Sequence, residues 1–189
     1  MPLQSSEYTI RRQVFKLFGA AFHVYDGSGT LVGYSKQKAF KLKEDIRIYT
    51  DESMSSEVLT IQARSIIDFS AAYDIVDARS GESVGAARRK GWSSIVRDSW
   101  ELLDTTDTPV AKVEEDSMMM AMMRRLLSNL IPQNFSVKSD SGMEHATFSQ
   151  QFNPFIYKLN VSIKPESQLD PRLILGSAIL LAAIEGRQE

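Results

Sequence analysis

The sequence predicts a mainly β protein: a closed antiparallel barrel of about twelve strands, built from two pseudo-repeats around a buried C-terminal hydrophobic helix. Three observations predict it. A strand–turn–strand block occurs twice, about 52 residues apart, a partial third copy follows, and the chain closes on a helix-length segment that is apolar on every side.

The first copy opens with Phe22, Val24 and Asp26, turns at Gly29 and leaves through Val32 and Gly33; the second opens with Tyr73, Ile75 and Asp77, turns at Gly81 and leaves through Val84 and Gly85. Alternation of Phe22 with Val24, and of Tyr73 with Ile75, turns one apolar face inward, while the glycines supply the positive φ a tight hairpin needs. The register continues. Phe40 matches Trp92, Asp45 matches Asp98, Asp51 matches Asp104, and Val58 and Ile61 match Val110 and Val113. Ile46 to Thr50 and Trp100 to Leu103 therefore read as strands, as do Val58 to Ala63 and Val110 to Glu114 beyond the intervening turns.

A partial copy starts at Phe135 and Val137, turns at Asp140-Ser141-Gly142 and returns through Ala146 and Phe148. Then Tyr157, Leu159, Val161 and Ile163 alternate strictly with Lys158, Asn160, Ser162 and Lys164, the pattern of a half-buried strand. Two helices interrupt the β pattern. Ser117 caps one predicted over Met118 to Asn129, ended by Pro132; Asp170 caps the other, with Pro171 at its first position, where a missing N–H costs nothing.

That last helix decides the architecture. From Leu173 to Ile184 its side chains are apolar in every direction except at Gly176 and Ser177, so it is buried all round. A run of 12 residues is also too short to cross a bilayer. Amphipathic strands can surround such a rod only by closing a sheet, and the sheet must be wide: eight strands fill their own interior, whereas about eleven hold a central helix.

The residues that carry these features resemble a known family. The hairpin Asp26-Gly27-Ser28-Gly29, the stretch Lys36-Gln37-Lys38-Ala39-Phe40-Lys41-Leu42, the strand Ile46-Arg47-Ile48-Tyr49 with Asp51-Glu52, the repeat of this block and the terminal apolar helix are similar to LURP-one-related and phospholipid-scramblase-like proteins of the Tubby C-terminal-like superfamily. The resemblance runs from Tyr8 to Glu185 and implies one domain over residues 1–189, a twelve-stranded barrel around its helix. It implies association with membranes or lipid head groups, and no particular chemistry, because fold does not fix function. Scramblases carry an acidic calcium segment ahead of the last helix; here Ile163 to Asp170 offers only Glu166 and Asp170, too few ligands for such a loop.

Composition narrows the rest. Twenty-two Lys and Arg against 24 Asp and Glu give a net charge of -2, so no whole-chain field draws the protein to nucleic acid, and an anionic partner must be met by a local patch. The first hundred residues hold 14 basic and 12 acidic side chains, the remainder 8 and 12. Zero cysteines exclude disulfides, thiolate catalysis, cysteine zinc sites and a palmitoyl anchor. Residues Met1 to Ser6 show no basic stretch leading into an apolar run, so the expected location is cytoplasmic, peripheral at the membrane, with no transmembrane span.

No catalytic constellation emerges. His23 and His145 have no second histidine one helical turn away, Gly-x-Ser-x-Gly is absent, and Glu101, Asp104 and Asp107 read as solvated strand and turn carboxylates. Neither metal nor cofactor is expected. Two sets of candidate binding residues remain. Lys36, Lys38, Lys41 and Lys43 in the first copy, and Arg88, Arg89 and Lys90 beside Trp92 in the second, are candidates for acidic lipid, phosphoinositide or phosphate. Met118, Met119, Met122 and Met123 are candidates for a protein partner, since flexible thioethers adapt to apolar surfaces. The leading expectation is thus a non-enzymatic lipid-head-group module; its rivals are an interaction scaffold using the methionines and a lipid scramblase.

Overall fold

Twelve strands follow one another in the computed structural model, which describes residues 3–15, 19–37, 45–65, 72–89, 99–116, 132–153 and 156–185. They are β1 (Glu7–Phe15), β2 (Gly19–Asp26), β3 (Leu31–Gln37), β4 (Asp45–Tyr49), β5 (Glu57–Ala63), β6 (Ala72–Asp77), β7 (Ser83–Arg89), β8 (Ser99–Leu103), β9 (Pro109–Glu115), β10 (Asn134–Lys138), β11 (Glu144–Gln151) and β12 (Tyr157–Ile163), followed by the helix α1 (Pro171–Glu185). Each strand pairs antiparallel with the next and β12 pairs back onto β1, so the sheet closes and leaves no free edge. The repeats are β2–β5 and β6–β9, the partial copy is β10–β11, and β1 with β12 closes the barrel.

The two ends differ in construction. At one, here the turn end, five hairpins share a single design: each carries a register shift beside its turn, after Val24, Ile48, Ile75, Leu102 and Val137. Each also holds one residue at positive φ, namely Gly29, Met54, Gly81, Asp107 and Gly142. A turn followed by a bulged left-handed residue matches the twist of the strands it joins. Asp26 Oδ1 accepts the Ser28 and Thr30 amides and Asp104 Oδ1 accepts those of Thr106 and Thr108, so copies of the turn repeat down to single hydrogen bonds.

Inward residues such as Phe22, Val24, Ile46, Ile48, Leu59, Ile61, Ile75, Leu102, Phe135, Phe148, Leu159 and Val161 are buried and enclose α1, whose side chains from Leu173 to Ala183 are buried without a break. The helix enters at the turn end and runs toward the opposite one, here the far end. Gly176 permits close approach, since a Cβ there would meet Ile75 at 3.0 Å.

Two findings modify the sequence reading. β1 carries little alternation signal because Arg12 occupies an inward position among Tyr8 and Ile10, where its guanidinium lies 6.0 Å from the Phe22 ring centre. Glu101 is not a solvated carboxylate but is buried against Arg88, whereas Asp107 is exposed at its turn, where it accepts from Arg64. The predicted helix from Met118 to Asn129 lies outside the described residues.

Arg172 locks α1 to the barrel. Its guanidinium donates to Asp77 (2.7 Å), Glu82 (3.3 Å) and Asp170 (2.7 Å), while Asp170 also caps the helix by accepting the Arg172 amide at 2.8 Å. Burial alone raises the Asp77 pKa, but donors from Arg172, Arg79 and Ser80 outweigh it and hold the carboxyl below 3.8. Arg172→Ala is therefore expected to cost about 2 kcal/mol, or about 4–8 °C in melting temperature. A depressed carboxyl contributes stability above its unfolded pKa and loses it as pH falls through the folded one. The deficit of the variant is accordingly largest near neutral pH and shrinks below pH 3.8; melting curves against pH check this, and a deficit that grows in acid contradicts it.

Candidate binding surface at the far end of the barrel

β3 and β7 both run toward the far end, so Lys36 and the pair Arg88 and Arg89 stand near the same end of the barrel. They do not lie side by side. β3 and β7 are four strands apart in a ring of twelve, a third of the circumference.

Lys36 is exposed on the outer face of β3, opposite Ala21. Arg88 faces outward too, but its charge is matched: Nη2 donates to Glu101 Oε2 at 2.7 Å and Nε to the same oxygen at 3.2 Å. Arg89 turns to the inner rim, 6.0 Å from the Trp100 ring centre. Lys38, Lys41, Lys43, Lys90 and Trp92 lie outside the described residues, as do Met118, Met119, Met122 and Met123.

Residues missed in the sequence complete the surface. In register across the outer face, Lys158 of β12 sits beside Arg11 of β1, and the next outward row carries Gln13, Ala21 and Lys36. β12, β1, β2 and β3 are consecutive around the barrel, so Lys158, Arg11 and Lys36 form one basic arc. Among the described residues none of the three has a carboxylate partner; Arg11 instead lies 4.7 Å over the Tyr25 ring. Lys112, Lys138 and Lys164, by contrast, pair with Asp140 or Glu144. At the far end of β9, Glu114 and Asp116 are exposed and Glu115 is buried.

A groove of about 570 Å³ runs along the outside of β12, β1 and β2 beneath this arc, lined by Thr9, Arg11, Tyr25, Gln151 and Asn160, with the carboxylates of Glu7 and Asp26 toward the turn end. Thr9 Oγ1 donates to Asn160 Oδ1 at 3.2 Å and Ser162 Oγ to Glu7 at 2.6 Å, leaving the Arg11 guanidinium as the charged group toward the far end. Tyr8 borders the groove from within; burial pushes its phenol up to about 12, against a donation from the Ser5 amide, so it stays neutral and supplies no base at physiological pH. The histidines are engaged elsewhere. His23 sits on the outer face against Tyr34, with Nε2 at 3.1 Å from Glu52, and buried His145 binds Ser167, which ties the segment before α1 to β11. Among the described residues no three His, Asp or Glu side chains gather as a metal site.

The sequence profile of the LURP-one-related family matches residues 32–182, from β3 through most of α1. The chain belongs to the LURP-one-related family. No curated protein matches it in sequence. Among solved structures, a protein from Arabidopsis thaliana, determined by X-ray, is similar over 99% of this chain and 97% of its own, with a TM-score of 0.56 and 12% identity, a likeness of fold. The profile spans β3–β5 of the first repeat, the whole second repeat and most of the helix, and starts after β1 and β2; Arg11 lies outside the matched stretch, and Lys36 and Lys158 fall within it.

Proposed function

We propose that this LURP-one-related barrel is a non-enzymatic module that docks its far end on acidic lipid head groups. The observation that carries the reading is the arc of Lys158, Arg11 and Lys36, three cations on β12, β1 and β3 that no described carboxylate neutralises, above a polar groove. Each basic group near an acidic membrane contributes about 1 kcal/mol, decaying over a Debye length of about 8 Å at physiological salt. Three such groups give reversible, salt-sensitive attachment. The lysines that follow Lys36 in sequence, Lys38, Lys41 and Lys43, add to the same side of the charge balance. Among the described residues no helix is long and apolar enough to cross a membrane, which fits attachment through a surface.

Flotation with neutral and acidic vesicles tests this. Binding is expected on acidic vesicles only, weakening as salt rises, and falling on the order of thirtyfold in the Lys36→Glu, Lys158→Glu double variant with an unchanged melting curve. Arg88→Glu is the wrong probe, because it sets two carboxylates together at Glu101 and loses stability for a reason unrelated to lipid. Binding that ignores salt, or a double variant that floats like the parent, removes the reading. The interaction-scaffold reading through Met118, Met119, Met122 and Met123 then becomes the better one.

A further inference from the structure

Large apolar side chains in a folded domain are seldom left in water without a reason when they cluster beside unneutralised charge. Phe152 is 58% exposed and Ile156 37% exposed, both on the connection from β11 to β12 at the far end. The third large apolar residue exposed among those described, Met54, belongs to a hairpin at the turn end. Asn153 Oδ1 accepts the Ile156 amide at 3.0 Å, an Asx-type hydrogen bond that fixes the start of β12 beside Phe152. The cations of the arc flank them directly. Gln151, next to Phe152, stands opposite Lys158, and Lys158 stands opposite Arg11.

We infer that the β11–β12 connection is a hydrophobic anchor, in which Phe152 and Ile156 enter the apolar layer of an acidic bilayer while Lys158 and Arg11 hold the phosphates above it. This rests on the acidic-lipid reading and adds to it the orientation of the barrel and a contact that salt does not screen. Spacing supports a bilayer over an acidic polypeptide. Lys158 follows Ile156 by two residues, about 7 Å along an extended strand, and interfacial apolar groups sit about 5–10 Å below the head-group boundary. The layered order of the membrane, charge above and hydrocarbon beneath, is the order these residues present. An acidic polypeptide satisfies the cations but offers Phe152 and Ile156 no apolar layer.

The chain has no cysteine, so single cysteines report cleanly. An environment-sensitive fluorophore on Gln151→Cys, beside the anchor but leaving Phe152 and Ile156 intact, is compared with one on Ser28→Cys at the turn end. On acidic vesicles the label at 151 is expected to shift to the blue and to be quenched by lipids brominated on their acyl chains, with the label at 28 unaffected. Phe152→Ala with Ile156→Ala is expected to weaken vesicle binding on the order of tenfold, with melting and salt dependence retained. Vesicle-bound protein whose label at 151 escapes quenching, a quenched label at 28, or a double alanine variant that binds like the parent overturns the anchor and leaves the acidic-lipid reading standing. Parent protein that binds no vesicle overturns both, and a shift of the label at 151 with polyglutamate but not with vesicles assigns the connection to an acidic protein instead.

Discussion

Leu180→Asp is expected to abolish the cooperative melting transition. Leu180 is 1% exposed in the middle of α1, and its neighbours Ile179, Leu181, Ala182 and Ala183 are equally enclosed by the barrel. A carboxylate placed there meets hydrocarbon on every side. Neutralising it or admitting water costs several kcal/mol, against a total stability of about 5–15 kcal/mol for a domain. Leu180 belongs to the same buried apolar core as Ile61, Ile75 and Leu159, whose side chains carry no hydrogen-bond donor. Removal of residues 171–189 is expected to act in the same direction, since it empties the barrel and strips Asp77 of Arg172. Circular dichroism and thermal melting decide it. A truncated chain that stays folded, with an unchanged transition, rules out the helix as the core of the sheet.

That the helix fills a barrel is legible in the sequence because burial all round is written into composition: an apolar residue at nearly every position from Leu173 to Ile184 leaves no face for water. The hairpins are legible for a related reason. Asp26 to Gly29 and Asp140 to Gly142 spell their turns in residues that hydrogen-bond locally or accept positive φ. Met54 occupies the equivalent left-handed position with no such signature, and its bulge shows that it belongs to the same design; Asp107 does so too, in a turn that repeats the Asp26 hydrogen bonds at Asp104. The binding surface was harder to read. A run of lysines announces charge but not whether a carboxylate stands across the strand, which is why Arg88 drew attention in sequence and proves to be committed to Glu101. Lys158 and Arg11 come from opposite ends of the chain and meet only because β12 closes onto β1. No local pattern contains that pairing. Phe152 and Ile156 were invisible for another reason: an apolar residue near a strand end reads as core until its exposure is known.

Gly85→Ala is expected to be the most damaging single-methyl change in the barrel, costing about 3 kcal/mol or more and about 6–12 °C in melting temperature. Its equivalent in the first repeat, Gly33, shares the exit position but not the constraint. At Gly33 a Cβ would meet the side chains of Ile48 and Val24 at 3.0 and 3.2 Å, and both can give slightly. At Gly85 the backbone lies at φ 133, where L side chains are strained, and a Cβ would run into the Leu103 carbonyl oxygen while Leu173 of α1 closes the other side at 3.3 Å. The carbonyl cannot swing aside: Leu103 is held by the pairing of β8 with Ala86, so the methyl group is accommodated only by parting β7 from β8, while the Leu173 side-chain tip must also give slightly. Gly29→Ala supplies the control, because its φ of 81 is also positive but nothing lies within 4 Å of the added carbon. It is expected to lose about 1 kcal/mol, the conformational part alone. The order of melting temperatures should therefore be parent, then Gly29→Ala, then Gly85→Ala well below, with Gly33→Ala between the last two. If Gly85→Ala melts alongside Gly29→Ala, the close approach of β7, β8 and the helix is wrong, and with it the packing by which the second repeat grips the core.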